Sequence, residues 1–218
     1  MLISNKISKK IFFLLGVVFI SLGIYAFNEC LASFKKQKAD NVKLPLGLEE
    51  GDIVFRRGNS IASHMVLSAD SSGGYSHVGI IVMIDGKLVV AHEVPGESLP
   101  GEIDILKTDP LREFFETEKA KSGAIMHVNC SISQKLMAIN IVKEKLRINM
   151  PFDHDYNLTD SSKMYCTELI WHVYRRAGID LTNGRRTKIN IPLFSGDYIL
   201  PSDIQASKCL QQFFYFNR

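Results

Sequence analysis

Disulfide chemistry has little to work with in this sequence, whose 218 residues hold four cysteines, Cys30, Cys130, Cys166 and Cys209. Four is too few for a disulfide scaffold of this size, and their spacing matches no zinc-binding pattern. Cys130 and Cys209 are candidates for one bridge in an oxidising compartment, whereas Cys166 has to stay free to do chemistry. Charge of one sign is scarce too, with a formal net charge of +3. The nearest thing to a basic patch is Arg175, Arg176, Arg185, Arg186 and Lys188, without interleaved aromatic residues. A solvated face explains it, and no nucleic-acid partner is expected. Internal repeats and low-complexity segments are absent. With 46% hydrophobic and 22% charged residues, the chain is not of the disordered class. It suits one globular domain of ordinary core size plus an appendage.

Long apolar runs are missing except for one, the uncharged stretch from Ile11 to Phe27. Lys6, Lys9 and Lys10 precede it, and Lys35, Lys36 and Lys38 follow. At about 1.5 Å per residue, such a run spans roughly 25 Å, enough for a slightly short membrane-spanning helix. A cleaved secretory signal is the alternative, but Tyr25-Ala26-Phe27-Asn28-Glu29 offers no small-residue cleavage site. The expected organisation is a basic cytoplasmic N-terminus (1–10), a transmembrane anchor (11–27), a linker (28–47) and a domain over 48–218. Either reading of the run exports the domain. The preceding lysines put the N-terminus in the cytoplasm and the domain on the extracytoplasmic side of a single-pass protein.

Within the domain the patterns are short. A strand is expected over Asp52 to Phe55 and a helix over Ser60 to Ser68. Ser76 to Ile84 and Lys87 to Val94 are two β-rich runs around Asp85-Gly86, the strongest short signal for a hairpin. Asp109-Pro110 starts a predicted helix to about Lys119, with proline at its first position. Ala124 to Val128 reads as a strand. Ser131 and Gln134 form a predicted capping box for a helix with Leu136, Ile139, Val142 and Leu146 on its apolar face. Another helix begins near Tyr165 or Cys166 and stops at Gly178; the tail is loop and short strand. The class is α+β, an antiparallel sheet packed on helices.

Chemistry gathers on the hairpin and the last helix. Cys166 at a helix start meets unpaired amides and the positive end of the helix dipole, which favour thiolate and offer donors to an oxyanion. An inert buried cysteine is the competing reading. In a hairpin turning at Asp85-Gly86, Gly79 faces His92 and His77 faces Val94. His77 and His92 therefore share one side, roughly 5 to 8 Å apart, and Glu93 points to the other. A β-bulge would exchange the roles of His92 and Glu93. A thiol hydrolase needs a base and a polar group to orient it, and His77 and His92 supply both. Asp153, His154 and Asp155 are too close together, with no fourth partner, to make a metal site. His64, His127 and His172 have no supporting neighbours and read as structural.

Tyr75-Ser76-His77-Val78-Gly79-Ile80, Pro151-Phe152-Asp153 and Tyr165-Cys166-Thr167-Glu168-Leu169-Ile170 resemble, in this order, the YiiX-like branch of the permuted NlpC/P60 superfamily. Glu50-Gly51-Asp52-Ile53-Val54-Phe55 and Leu200-Pro201-Ser202-Asp203-Ile204 extend the resemblance to about residues 48–206. It implies a circularly permuted papain-like fold, with the histidine strand before the cysteine helix. It also implies a Cys166–His77 pair and a third polar residue on the next strand. That residue is often Glu in such proteins; here His92 holds the position, with Glu93 as the alternative. Tyr165 and Tyr75 are candidates for the oxyanion site and pocket, although aromatic packing competes for Tyr165. The implied activity is a membrane-anchored amidase or peptidase working through an acyl-enzyme, with no cofactor and no metal. The substrate is a peptide, an amide or a lipid-linked acyl group. A lipid-directed acyltransferase or thioesterase, or a non-catalytic binding module, are the alternatives.

Overall fold

The computed structural model describes residues 22–28, 42–96, 102–190 and 195–218. The chain divides into two compact units, Met1–Asp40 and Asn41–Arg218. In the first, residues 22–28 are helical and exposed. The rest of the expected 11–27 anchor, and most of the expected linker, lie outside the described residues. Among the described residues no helix is long and apolar enough to cross a membrane.

The second unit runs β1 (Ile53–Arg57), α1 (Ile61–Ala69), β2 (His77–Ile84), β3 (Lys87–His92), β4 (Lys107–Pro110), α2 (Leu111–Phe114) and β5 (Ser122–Val128). It continues through α3 (Ile132–Arg147), α4 (Cys166–Arg176), β6 (Thr187–Ile189), β7 (Gly196–Tyr198), α5 (Pro201–Gln205) and β8 (Leu210–Asn217). Six strands form one sheet in the order β4-β3-β2-β1-β5-β8, every neighbouring pair antiparallel. The short β6-β7 ladder stands apart from it.

The hairpin sets the register of the site. Asp85 and Gly86 take φ of 49° and 74°, the left-handed pair that a tight two-residue turn requires. Ile84 then pairs with Lys87 and, without a bulge, Ile80 with Ala91. Because side chains alternate, β2 sends Val78, Ile80 and Val82 into a core shared with Leu169, Ile170 and Val173 of α4. On the other face Ile81, Val54 and Val90 pack against Leu111, Phe114 and Phe115. Burying side chains of this size stabilises the fold by about 1.5–3 kcal/mol each. A strand covered on both faces reads as a continuous apolar run, as β2 does.

Two sequence expectations need correction. The helix expected from Asp109 to Lys119 is only the four residues of α2; Asp109 and Pro110 close β4, and Pro110 is the cap residue. The chain leaves the helix at Phe115, whose φ of −101° and ψ of 17° are not helical, and Phe114 and Phe115 are both buried. On α3 the capping box is present, but Leu136 is 52% exposed and Ala138 joins Ile139 and Val142 in the buried stripe. Cys130 and Cys209 are free thiols, half-buried near the β5–β8 end, where the Asn129 N–H donates to the Cys209 carbonyl at 2.7 Å.

Candidate active site

His77 opens β2 and His92 closes β3, so the register brings them onto one side of the hairpin. Nε2 of His77 lies 3.0 Å from Nδ1 of His92. Both rings pack on Phe114, at centroid distances of 5.7 and 5.1 Å. Gly79 sits between them and leaves the space, since a Cβ there would meet Val90 Cγ1 at 2.5 Å and His92 Cβ at 3.1 Å. Burial, then the guanidinium of Arg56, drives the His77 pKa well below the ordinary histidine value; His92 is lowered too, chiefly by burial. Arg56 is itself buried, donates to the Phe114 carbonyl at 3.2 Å and lies 4.7 Å over the Phe114 ring. Both histidines are therefore neutral near pH 7.

A charged layer lies behind His92. The Nε2 of His92 is 3.1 Å from Oδ2 of Asp109, a contact of hydrogen-bond length but bent away from the ideal N–H line. The same oxygen is 3.6 Å from the Lys107 ammonium and 3.7 Å from that of Lys119. His92 above all, then the two lysines, holds the Asp109 carboxyl well below its usual range. Sequence reasoning missed Asp109. It lies seventeen positions beyond His92 and reaches it only through the β3–β4 pairing, in which His92 is opposite Lys107 and Val90 opposite Asp109.

Cys166 is the first residue of α4, after the extended Tyr165, and Gly178 ends that helical segment at φ +85°. Glu168 in the first turn accepts the Tyr165 N–H, half of a capping box. The thiol comes from the helix-packed face and the imidazole of His77 from the opposite one. The sulfur lies near the start of β2, where the Val78 N–H faces it, as does that of Thr167. Both residues line one cavity of about 250 Å³. The sequence expectation of a lowered thiol pKa is reversed. Protein atoms crowd Cys166 although it keeps some exposure through the cavity, and burial pushes the thiol up to about 11 against the two amides and Arg56. Desolvation outweighs the helix end here.

Glu93 is on the other side of β3, fully buried, and neither carboxylate oxygen has a hydrogen-bond partner among the described residues. Burial, reinforced by the Glu168 carboxylate, raises it to about 9, and Glu168 is raised by burial to about 8. The structure thus brings His92, not Glu93, to His77. Tyr165 lines the cavity; its hydroxyl accepts the Ile199 N–H at 3.0 Å and its ring packs on Tyr156. Tyr75 packs on Phe55 at 5.6 Å and does not line the cavity. Val66, Val94, Phe152, Tyr156 and Leu200 complete much of the apolar wall. His127 does have a neighbour, Asp52 at 2.7 Å, far along the sheet. Asp153 caps its own loop through the Asp155 N–H at 3.0 Å and pairs with Lys163.

The family described as permuted papain-like amidase enzyme, YaeF/YiiX, C92, matches residues 47–191, well over half of the chain. This chain belongs to that family. Among members of the permuted papain-like amidases, the protein YiiX of Escherichia coli (strain K12) is 25% identical over 129 residues. That match covers 59% of this chain and 58% of the relative, so the chain spans little more than half of YiiX. The crystal structure of the metalloprotein YiiX from Escherichia coli O157:H7 superposes with a TM-score of 0.62 at 21% identity. It covers 78% of this chain and 98% of that one, a likeness of fold. Hydrolase or amidase activity is what membership supports, at the level of the family.

Proposed function

We propose that this protein is a thiol hydrolase of the amidase or peptidase type, with Cys166 as nucleophile, His77 as its base and His92 orienting the base. Membership of an amidase family supports the reaction class. The observation that carries the reading is that a helix-start thiol and a neutral imidazole open on one cavity. Neutral His77 takes the thiol proton as the sulfur attacks a carbonyl, then passes it to the leaving amine. The amides around Cys166 are the natural donors to the oxyanion. Water or another acceptor, deprotonated by His77, then releases the acyl group from Cys166. YiiX from Escherichia coli O157:H7 is called a metalloprotein. Among the described residues of this chain no three His, Cys, Asp or Glu side chains converge to hold a metal ion, and no step is routed through one.

Lipid-directed acyl transfer is a second reading, favoured by the apolar wall of Val66, Val94, Phe152 and Leu200. In either case the apolar run over 11–27 anchors the domain on the extracytoplasmic side. Site-resolved mass spectrometry after brief iodoacetamide treatment tests the chemistry. His77→Ala is expected to slow labelling of Cys166 at least tenfold and to leave Cys130 and Cys209 unchanged. Cys166 labelling that does not depend on His77 points to a binding module instead. Mass spectrometry of the intact protein separates the substrates, because a retained fatty acyl adduct favours the lipid reading.

A further inference from the structure

Hydrogen-bond roles along the row His77, His92 and Asp109 are linked, because each neutral imidazole carries one N–H and one lone pair. Asp109 is an anion, so it can only accept. With its Oδ2 at 3.1 Å, Nε2 is the nitrogen of His92 that carries the proton. His92 Nδ1 is then a lone pair, and at 3.0 Å it can only accept from His77 Nε2. That leaves Nδ1 of His77 unprotonated, without a hydrogen-bond partner among the described residues, on a side chain that lines the cavity with Cys166.

We infer that Asp109 is a positioning residue: acting through His92, it fixes His77 in the one tautomer whose Nδ1 is free to take the Cys166 proton. The inference rests on the thiol-hydrolase reading for its consequence, though not for the tautomers themselves. Lys107 and Lys119 also approach Asp109, but at 3.6 and 3.7 Å and with ammonium groups about a third exposed. Solvent screens such pairs, whereas the His92 ring is fully buried. The bend in the His92–Asp109 contact does not remove the constraint, since hydrogen bonds of resting sites often tighten only when substrate is bound. Burial above all, with Arg56 second to it, opposes protonation of either ring and so keeps the row in its neutral form.

The test reads the tautomers directly. In full-length protein labelled with 15N-histidine, long-range proton–nitrogen spectra at pH 7.5 are expected to show His77 and His92 both protonated on Nε2. Asp109→Asn has nearly the same shape but can donate to His92 Nε2. It is expected to populate the Nδ1-protonated forms and to slow iodoacetamide labelling of Cys166 by about 10²-fold or more, while Asp109→Glu restores the wild-type pattern. A merely structural role for Asp109 would lower the melting temperature without reversing the protons. Nδ1 protonation of either ring in the wild type overturns the inference, even if the variants fail to fold. So does an Asn variant with unchanged tautomers. A Cys166 that never labels, in a protein whose two histidines carry the expected protons, sinks the hydrolase reading and leaves Asp109 in its positioning role.

Discussion

At the scale of single residues, the site consists of groups held away from their ordinary ionisation. A thiol raised to about 11 beside an imidazole pushed well below its usual value is a neutral pair at rest. The labelling rate of Cys166 is therefore expected to climb with pH through 7, 8 and 9. A preformed thiolate–imidazolium pair would instead give a plateau from mildly acidic pH. Glu93 is a second example, and its sign is definite. Below pH 4.5 the folded and unfolded chains both hold its proton. Between pH 4.5 and about 9 the unfolded chain releases it while the folded one keeps it, so stability is lost as pH rises through that window. Glu93→Gln removes this dependence. Its unfolding free energy relative to wild type is expected to improve steadily from pH 5 to pH 9, by at most about 1.4 kcal/mol per pH unit. Calorimetry at three pH values checks it, and a constant difference would place Glu93 in water.

At the scale of elements, the hairpin was legible because Asp85-Gly86 leaves few choices of turn, and a fixed turn fixes which residues face each other. The pairing of His77 with His92, and the exclusion of Glu93 from it, follow from that register. Helix starts were equally readable at Ser60 and Ser131, where each hydroxyl caps its own helix. Pro110 misled about length, since it closes β4 and also caps a helix that ends after one turn at Phe114. Gly79 is where the hairpin and the site meet. In Gly79→Ala the new methyl meets Val90 Cγ1 at 2.5 Å, the Ala91 carbonyl at 3.0 Å and His92 Cβ at 3.1 Å, so β3 has to move. A loss of about 1–3 kcal/mol in urea unfolding, together with slower Cys166 labelling, is the expected result. Unchanged stability would mean that the two strands pack loosely at this point.

At the scale of the whole molecule, the site depends on contacts that no local pattern carries. Cys166 and His77 come from opposite faces of the sheet and line one cavity. Asp109 reaches His92 because a third strand, separated by a long loop, adds to the hairpin. Motif order hinted at the first meeting. Nothing in the spacing announced the second, since an aspartate before a proline is ordinary turn chemistry. Long-range strand pairing is settled by packing both faces of the sheet, a property of the complete chain.

The strand order carries a consequence for durability. β2 is laced to neighbours on both sides, whereas β4, four residues long, pairs with β3 alone among the described strands. Amide exchange with heavy water is expected to be fastest along β4 and slowest along β1 and β2, in minutes against hours or longer. Fraying at that border would carry the Asp109 carboxylate away while the imidazoles stay in place. The aim of His77 is then only as lasting as the hold on the outermost ribbon, and anything that clasps that ribbon would steady this imidazole from a distance.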